Sequence, residues 1–373
     1  MATKSNLSRS ELQRGVLLKS AISASNGFNS IRLVAATLVL FSHAFTLTSQ
    51  REPLYTLTGQ ATLGGISVAV FFAISGYLIP ISFARSTLSS YIKKRAQRIL
   101  PALIVAVLFC ALVLGPISTS FSLSEYFMSR KFLSFLGNAL FFPVGYDLPG
   151  VFTQNPISAV NGSLWSLKFE VLCYAFVVLA CVQRHFRKQI IFIVWIISYA
   201  IALSYPKNPS GAEFYVVKLA DLFRFFGAGM MLYLFSEKIV LKKAWGLSAL
   251  LLTTLSMLTP IFVEVASTLG IYALFVFAYA APEWFKNLTA KGDISYGVYV
   301  YAFPVQQLFV PLSLLFAADS PDIAPYLDTA FSLIPVYLLG LVSWRYVEKP
   351  FLSRKRNANM HVQTARREVS PEG

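Results

Sequence analysis

An all-α protein that crosses a membrane about ten times is what this sequence predicts, and three observations carry the prediction. Of 373 residues, 56% are hydrophobic and only 13% charged, whereas about a quarter of the residues of an ordinary soluble domain are charged. The apolar residues gather into runs near twenty long, the length a helix needs to cross ~30 Å of hydrocarbon. Lysine and arginine collect in every second connection, as they do when basic loops remain in the cytoplasm.

The first 28 residues are polar and mildly basic, with no short apolar core and cleavage site, so the first helix is expected to stay uncleaved. Apolar runs then place spans near 30–48, 62–84, 99–117, 163–182, 189–205, 214–235, 244–261, 265–281, 294–316 and 327–346. Loop charge tests that count, since one span more or fewer would scramble the alternation. One side takes Lys4, Arg9, Arg14 and Lys19; Arg85, Lys93, Lys94, Arg95 and Arg98; Arg184, Arg187 and Lys188; Lys238, Lys242 and Lys243; and Lys286 and Lys291. The other takes Arg51, Arg130, Lys131 and Lys207. Both termini are therefore expected in the cytoplasm, with a transmembrane domain over 29–350 between an N-terminal tail (1–28) and a basic C-terminal tail (351–373).

The one long connection, about 117–162, falls outside and is rich in aromatic, Gly and Pro residues (FLGNALFFPVGYDLPGVF). Such a loop suits the interface or a lid folded back over a site. Its apolar stretch Phe132 to Val144 is short for an eleventh span. No repeat of fixed period and no low-complexity tract is present.

The net charge of +15 follows from orientation and does not call for nucleic acid. Cys110, Cys173 and Cys181 all lie in apolar runs and read as packing, so no disulfide framework is expected. The histidines are scattered and no metal-ligand cluster is visible.

Ionisable groups inside the apolar runs are the candidates for chemistry, because each costs a few kcal/mol at least and turns toward the protein interior or a wet cavity. The first span, NSIRLVAATLVLFSHAFTLT, carries Arg32 and His43. Eleven residues are about three turns and roughly 16 Å, so both side chains leave nearly the same helix face. Glu170 in the fourth span is expected at a depth similar to His43, where a carboxylate would fix the imidazole tautomer and stabilise the imidazolium. The plain alternatives are that His43 bonds a backbone carbonyl between helices and that Arg32 snorkels to cytoplasmic headgroups. Lys218, Asp221 and Arg224, three apart in the sixth span, read mainly as a structural ion cluster. Arg95 and Arg98 share a helix face in YIKKRAQRILP and suit bidentate phosphate binding, although anionic lipid would draw the same charges.

These pieces resemble the acyltransferase-3 family of integral-membrane O-acyltransferases. The likeness covers most of the chain and rests on the order of its motifs: the Arg32 to His43 pair, GISVAVFFAISGYLI with Ser75, Gly76 and Tyr77, Arg95-Ala-Gln-Arg98, NGSLWSLKFEVLCY with Trp165 and Glu170, GDISYGVYVYAFPVQQ with Ser295 and Tyr296, and RYVEKPF. The resemblance implies transfer of an acyl group, commonly acetyl, from cytoplasmic acyl-coenzyme A to hydroxyls of sugars in cell-surface or lipid-linked glycans, in a bacterial plasma membrane. No cofactor is expected to be bound, the acyl-coenzyme A being a substrate. Many relatives carry a histidine near Phe303, which this chain lacks, and no appended esterase-like domain is expected.

A sugar hydroxyl is a poor nucleophile at neutral pH, and a positioned base supplies typically 10²- to 10⁴-fold. His43 is the only histidine inside a span, since His185 falls in a basic loop and His361 in the tail. It is therefore expected to be the base, with Glu170 orienting it, Arg32 contacting the donor or holding the site open, and Arg95 with Arg98 on coenzyme A phosphates. Ser75, Tyr77, Trp165 and Tyr296 are the remaining candidates for substrate contact, with helix packing by Ser-Gly-Tyr as the alternative for the first two. The competing class is a transporter or flippase of a glycan or lipid-linked intermediate, which also places charges at mid-depth. A scaffold in a glycan-assembly complex is the third reading.

Overall fold

The computed structural model describes residues 7–141, 145–182, 187–204 and 210–352; His185, His361, Lys4, Arg184, Lys207 and most of the C-terminal tail lie outside them. The protein is an all-α, multi-pass membrane protein, and its ten main helices fall on the expected runs. They are α1 (Phe28–Leu47), α2 (Leu63–Ala84), α3 (Leu88–Ser118), α4 (Leu167–Val182), α5 (Arg187–Ser204), α6 (Gly211–Leu234), α7 (Lys243–Ser256), α8 (Phe262–Ala280), α9 (Ser295–Phe316) and α10 (Pro321–Leu352).

Among the described residues eight of the ten are long and apolar enough to span, α4 together with the 3₁₀ turn before it as Gly162–Cys181. The others are α6, which carries Lys218, Asp221 and Arg224, and α7, whose fourteen residues reach only about 21 Å. In α6 the charges are neutralised within the bundle, as expected of a structural cluster. Arg224 donates to Asp221 Oδ1 at 2.7 Å and to Glu264 Oε1 of α8 at 2.9 Å, and Lys218 stands 4.0 Å from Asp221.

Local chemistry starts and stops the helices. Thr62 and Thr87 accept from the backbone N–H of Gly65 and Ser90 and so cap α2 and α3, satisfying donors that a helix N-terminus leaves free. At the end of α1 the Thr48 hydroxyl donates back to the Ala44 carbonyl, and Ser49 turns the chain out at φ 59°. Helices α3, α8 and α10 each contain one π-helical turn, at Cys110–Leu114, Ala266–Gly270 and Ser343–Glu348.

The tightest packing joins α2 to α6. A Cβ on Gly76 would lie 2.0 Å from the Phe226 carbonyl oxygen, and one on Gly229 would lie 2.0 Å from that of Ala73. Only glycine on both helices permits this backbone contact, the small-residue packing that associates helices in a bilayer.

Two regions differ from the simplest sequence reading. The N-terminal stretch is partly folded: Val16–Leu17 pairs antiparallel with Val240–Leu241, and Leu18 and Ala21 are fully buried. The stretch thus docks against the connection between α6 and α7, both on the side to which the loop charges assign the cytoplasm. The long outer connection ends folded back against α9. Gln307 of α9 donates to the carbonyls of Ile157 and Ala159 at 2.8 and 2.6 Å, and Asn161 donates to the Val300 carbonyl at 3.0 Å. Irregular backbone at membrane depth needs such internal partners, since hydrocarbon offers none.

Candidate functional site

Helices α1, α2, α3, α4 and α9 enclose a cavity of about 480 Å³, within the size range of small-molecule sites. Arg32 of α1 enters it and donates through Nη2 to Ser75 Oγ of α2 at 3.2 Å, while its Nε is buried without a partner. The guanidinium therefore faces the cavity rather than snorkelling to headgroups. Arg95, Arg98 and Lys94 of α3 line the same space, and Glu170 of α4 is its one lining carboxylate among the described residues. A chamber with that balance of charge favours an anionic guest.

The two arginines of α3 differ in what holds them. Arg98 Nη2 donates to Asp293 Oδ2 at 2.8 Å and Nη1 stands 3.6 Å from Glu348 Oε2, with its guanidinium 5.9 Å from the centre of the Tyr296 ring. Asp293, just ahead of α9, is buried, which raises its carboxyl pKa. Arg98, Arg32 and two hydrogen bonds from Ser295 outweigh that and hold it below the ordinary carboxylate value. Arg95 has no ion pair among the described residues; its Nε is buried and unpartnered and its guanidinium lies 5.7 Å over the Tyr174 ring. Tyr174 in turn donates to Glu170.

Glu170 is therefore engaged by Tyr174, and no hydrogen bond joins it to His43 among the described residues. The expected pairing of the two is not formed. The reason lies in direction: Glu170 turns into the cavity, whereas His43 packs edge-on to Phe303 with ring centres 5.2 Å apart. His43 Nδ1 is buried without a partner, so the side chain bonds no backbone carbonyl through that nitrogen. Phe303 thus stands beside His43 at the place where many relatives were expected to carry a histidine. Tyr299, one turn before Phe303, lines the cavity and is held by Ser166 and the Ser163 carbonyl at 2.6 and 2.8 Å. Helix α9 so connects the cavity wall to the histidine.

Among the other candidates, Ser75 and Tyr296 line the cavity, and the Tyr296 hydroxyl donates to the Ile99 carbonyl at 3.1 Å. Tyr77 does not. It is buried against Phe28, Phe275 and Tyr279, with the two tyrosine hydroxyls 3.3 Å apart, because it leaves α2 on the face that packs on α8. Trp165 also stays outside the lining and packs on Phe169 at 5.9 Å between ring centres. Sequence reasoning missed Tyr174, Tyr299, Asp293 and Glu348. Tyr174 is four residues from Glu170 and hence on its helix face, which was a legible signal; the others required the tertiary fold. Among the described residues no cluster of metal-ligating side chains occurs.

A family profile described as an acyltransferase domain matches residues 25–345. An O-acetyl transferase of Shigella phage Sf6 is 34% identical over 348 residues, covering 88% of this chain and 97% of that protein. Nodulation protein 10 of Rhizobium leguminosarum bv. viciae is 25% identical over 354 residues, covering 87% of this chain and 92% of its own length. No solved structure is significantly similar. With motifs, helices and a polar cavity in the order that the resemblance implied, the chain belongs to the acyltransferase-3 family and is a multi-pass membrane acyltransferase.

Proposed function

We propose that the protein transfers an acyl group, acetyl in the simplest case, from cytoplasmic acyl-coenzyme A to a hydroxyl of a cell-surface or lipid-linked glycan in a bacterial plasma membrane. The observation that carries this reading is the cavity that Arg32, Arg95 and Arg98 line together, with Glu170 as its one lining carboxylate among the described residues. Guanidinium groups match phosphate oxygens bidentately, and the donor brings several phosphates on a long, flexible arm.

In this reading the donor's phosphates rest against Arg95 and the outward edge of Arg98, and the arm runs past Arg32 and Ser75 toward His43. Glu170 fixes Tyr174, whose ring carries the Arg95 guanidinium, so it positions the donor site rather than the histidine. At the thioester the acceptor hydroxyl oxygen attacks the carbonyl carbon while the imidazole of His43 takes its proton. The carbon–sulfur bond then breaks, and the leaving thiolate receives that proton from the imidazolium, so His43 ends neutral. Phe303 against the ring helps to keep bulk water from the thioester.

Calorimetric titration of the purified protein with acetyl-coenzyme A tests the donor, and transfer of labelled acetyl to glycan in membranes tests the reaction. Saturable binding with transfer dependent on His43 is expected. Absence of both returns the chamber to a transport pathway.

A further inference from the structure

Beside the polar cavity, a second space of about 490 Å³ opens between α3 and α4. Its walls are Leu88, Tyr91, Ile92, Leu100, Val171 and Leu179 with their neighbours, and Phe141 of the outer connection closes its far end. Leu88, Ile92 and Leu179 are exposed at its rim, on the surface of a bundle that sits in lipid. Arg95, Ile99 and Tyr174 line both spaces, so the partition between cavity and groove carries one cation. That cation has no carboxylate partner among the described residues, and its Nε is buried and unbonded.

We propose that this groove binds an anionic phospholipid of the cytoplasmic leaflet, with one hydrocarbon chain between α3 and α4 and the phosphate on Arg95. Three observations specify that occupant. From Leu88 to Leu100 the groove follows twelve residues of helix, about 18 Å, a little over half of a ~30 Å hydrocarbon core and so the depth of one leaflet. Arg85 just ahead of α3 and Lys93 and Lys94 in its first turns mark the cytoplasmic side, where anionic headgroups attract such clusters. A guanidinium whose Nε is buried and unbonded beside apolar walls favours an anion, and a phosphodiester supplies one attached to the chain that fills the groove. Arg98, three residues on, does not compete, because Asp293 and Glu348 already hold it. The same guanidinium serves the donor reading from the polar cavity, and the lipid meets it from the groove, since Arg95 lines both spaces.

Native mass spectrometry of the full chain, titrated with phosphatidylglycerol or phosphatidylcholine of the same chains, tests it. Phosphatidylglycerol should bind at least tenfold more tightly; Arg95→Gln should erase that preference; and Ala175→Trp, which fills the groove and keeps the arginine, should weaken both lipids. In nanodiscs, the added fluorescence of Ile92→Trp over the parent should be quenched by a dibrominated phosphatidylglycerol and not by the matching phosphatidylcholine, which reads the site without removing the cation. Equal affinity for the two lipids, an unaltered preference in Arg95→Gln, or unaltered binding in a folded Ala175→Trp protein overturns the proposal. So does palmitoyl-coenzyme A binding that Ala175→Trp abolishes while phosphatidylglycerol binding persists, which would give the groove to a long acyl donor.

Discussion

The Arg98 guanidinium donates to Asp293 at 2.8 Å across 195 positions of sequence, and through its other terminal nitrogen it also faces Glu348. One side chain of α3 therefore ties a residue just ahead of α9 to the last residue of the π-helical turn in α10. Removing it strands two buried carboxylates.

Arg98→Ala should accordingly destabilise the protein by about 3–5 kcal/mol, the usual cost of breaking a buried ion pair from one side. Arg95→Ala breaks no ion pair and should melt close to the parent while weakening acetyl-coenzyme A binding about tenfold or more. Thermal unfolding in detergent, set beside titration of the donor, separates the two. Equal melting points for the two variants would contradict the assignment.

Asp293 gives the same cluster a pH signature. Its carboxyl titrates below the ordinary 3.8 in the folded protein, so the unfolded chain takes up the proton first as pH falls. The stabilisation is complete above pH 3.8 and is lost as pH drops through the lower folded value. Melting temperatures measured from pH 5 to pH 3 should fall more steeply for the parent than for Asp293→Asn, and parallel curves would show that the pair contributes nothing.

His43→Gln keeps approximate size and hydrogen-bonding capacity while removing the imidazole base. Acetyl transfer should drop about 10²-fold or more, with membrane abundance, melting temperature and donor affinity near parental. Turnover close to the parent's would remove His43 from the chemistry.

Gly229→Ala tests the α2–α6 contact. Its new methyl would sit 2.0 Å from the Ala73 carbonyl oxygen, and backbone cannot give way as a side chain can. A loss of at least 1–3 kcal/mol is expected from such overpacking, read as a lower melting temperature or lower yield of folded protein. Gly59→Ala, which meets nothing within 4 Å but has φ +64°, should cost only the strain of its backbone, and the ranking of the two is the measurement.

The helices were legible because bilayer length and loop charge act on long stretches of sequence, and Arg32, Ser75, Arg95, Arg98, Glu170 and Tyr296 reached one cavity because intramembrane polar groups seek interior water. What sequence could not supply was direction around each helix axis. Glu170 and His43 share the bundle, yet one turns to Tyr174 and the other to Phe303. Tyr77 sits two residues beyond Ser75, and that step of about 200° takes it out of the cavity into the aromatic cluster around Phe275. The partners of Arg98 come from the far end of the chain, and no local pattern announces them.

The paired glycines of α2 and α6 also determine which wall of the chamber can act as a door. Two backbones in contact cannot slide or part without losing the whole seam at once, so the Ser75 side of the cavity behaves as a fixed jamb. Across the chamber, Tyr91 reaches from α3 to the Tyr174 carbonyl of α4 by a single 3.0 Å bond, with the groove beside it. The weaker seam predicts entry of a bulky substrate between α3 and α4: a disulfide clamped across that pair should slow turnover, where the same clamp between α2 and α6 should leave it unchanged.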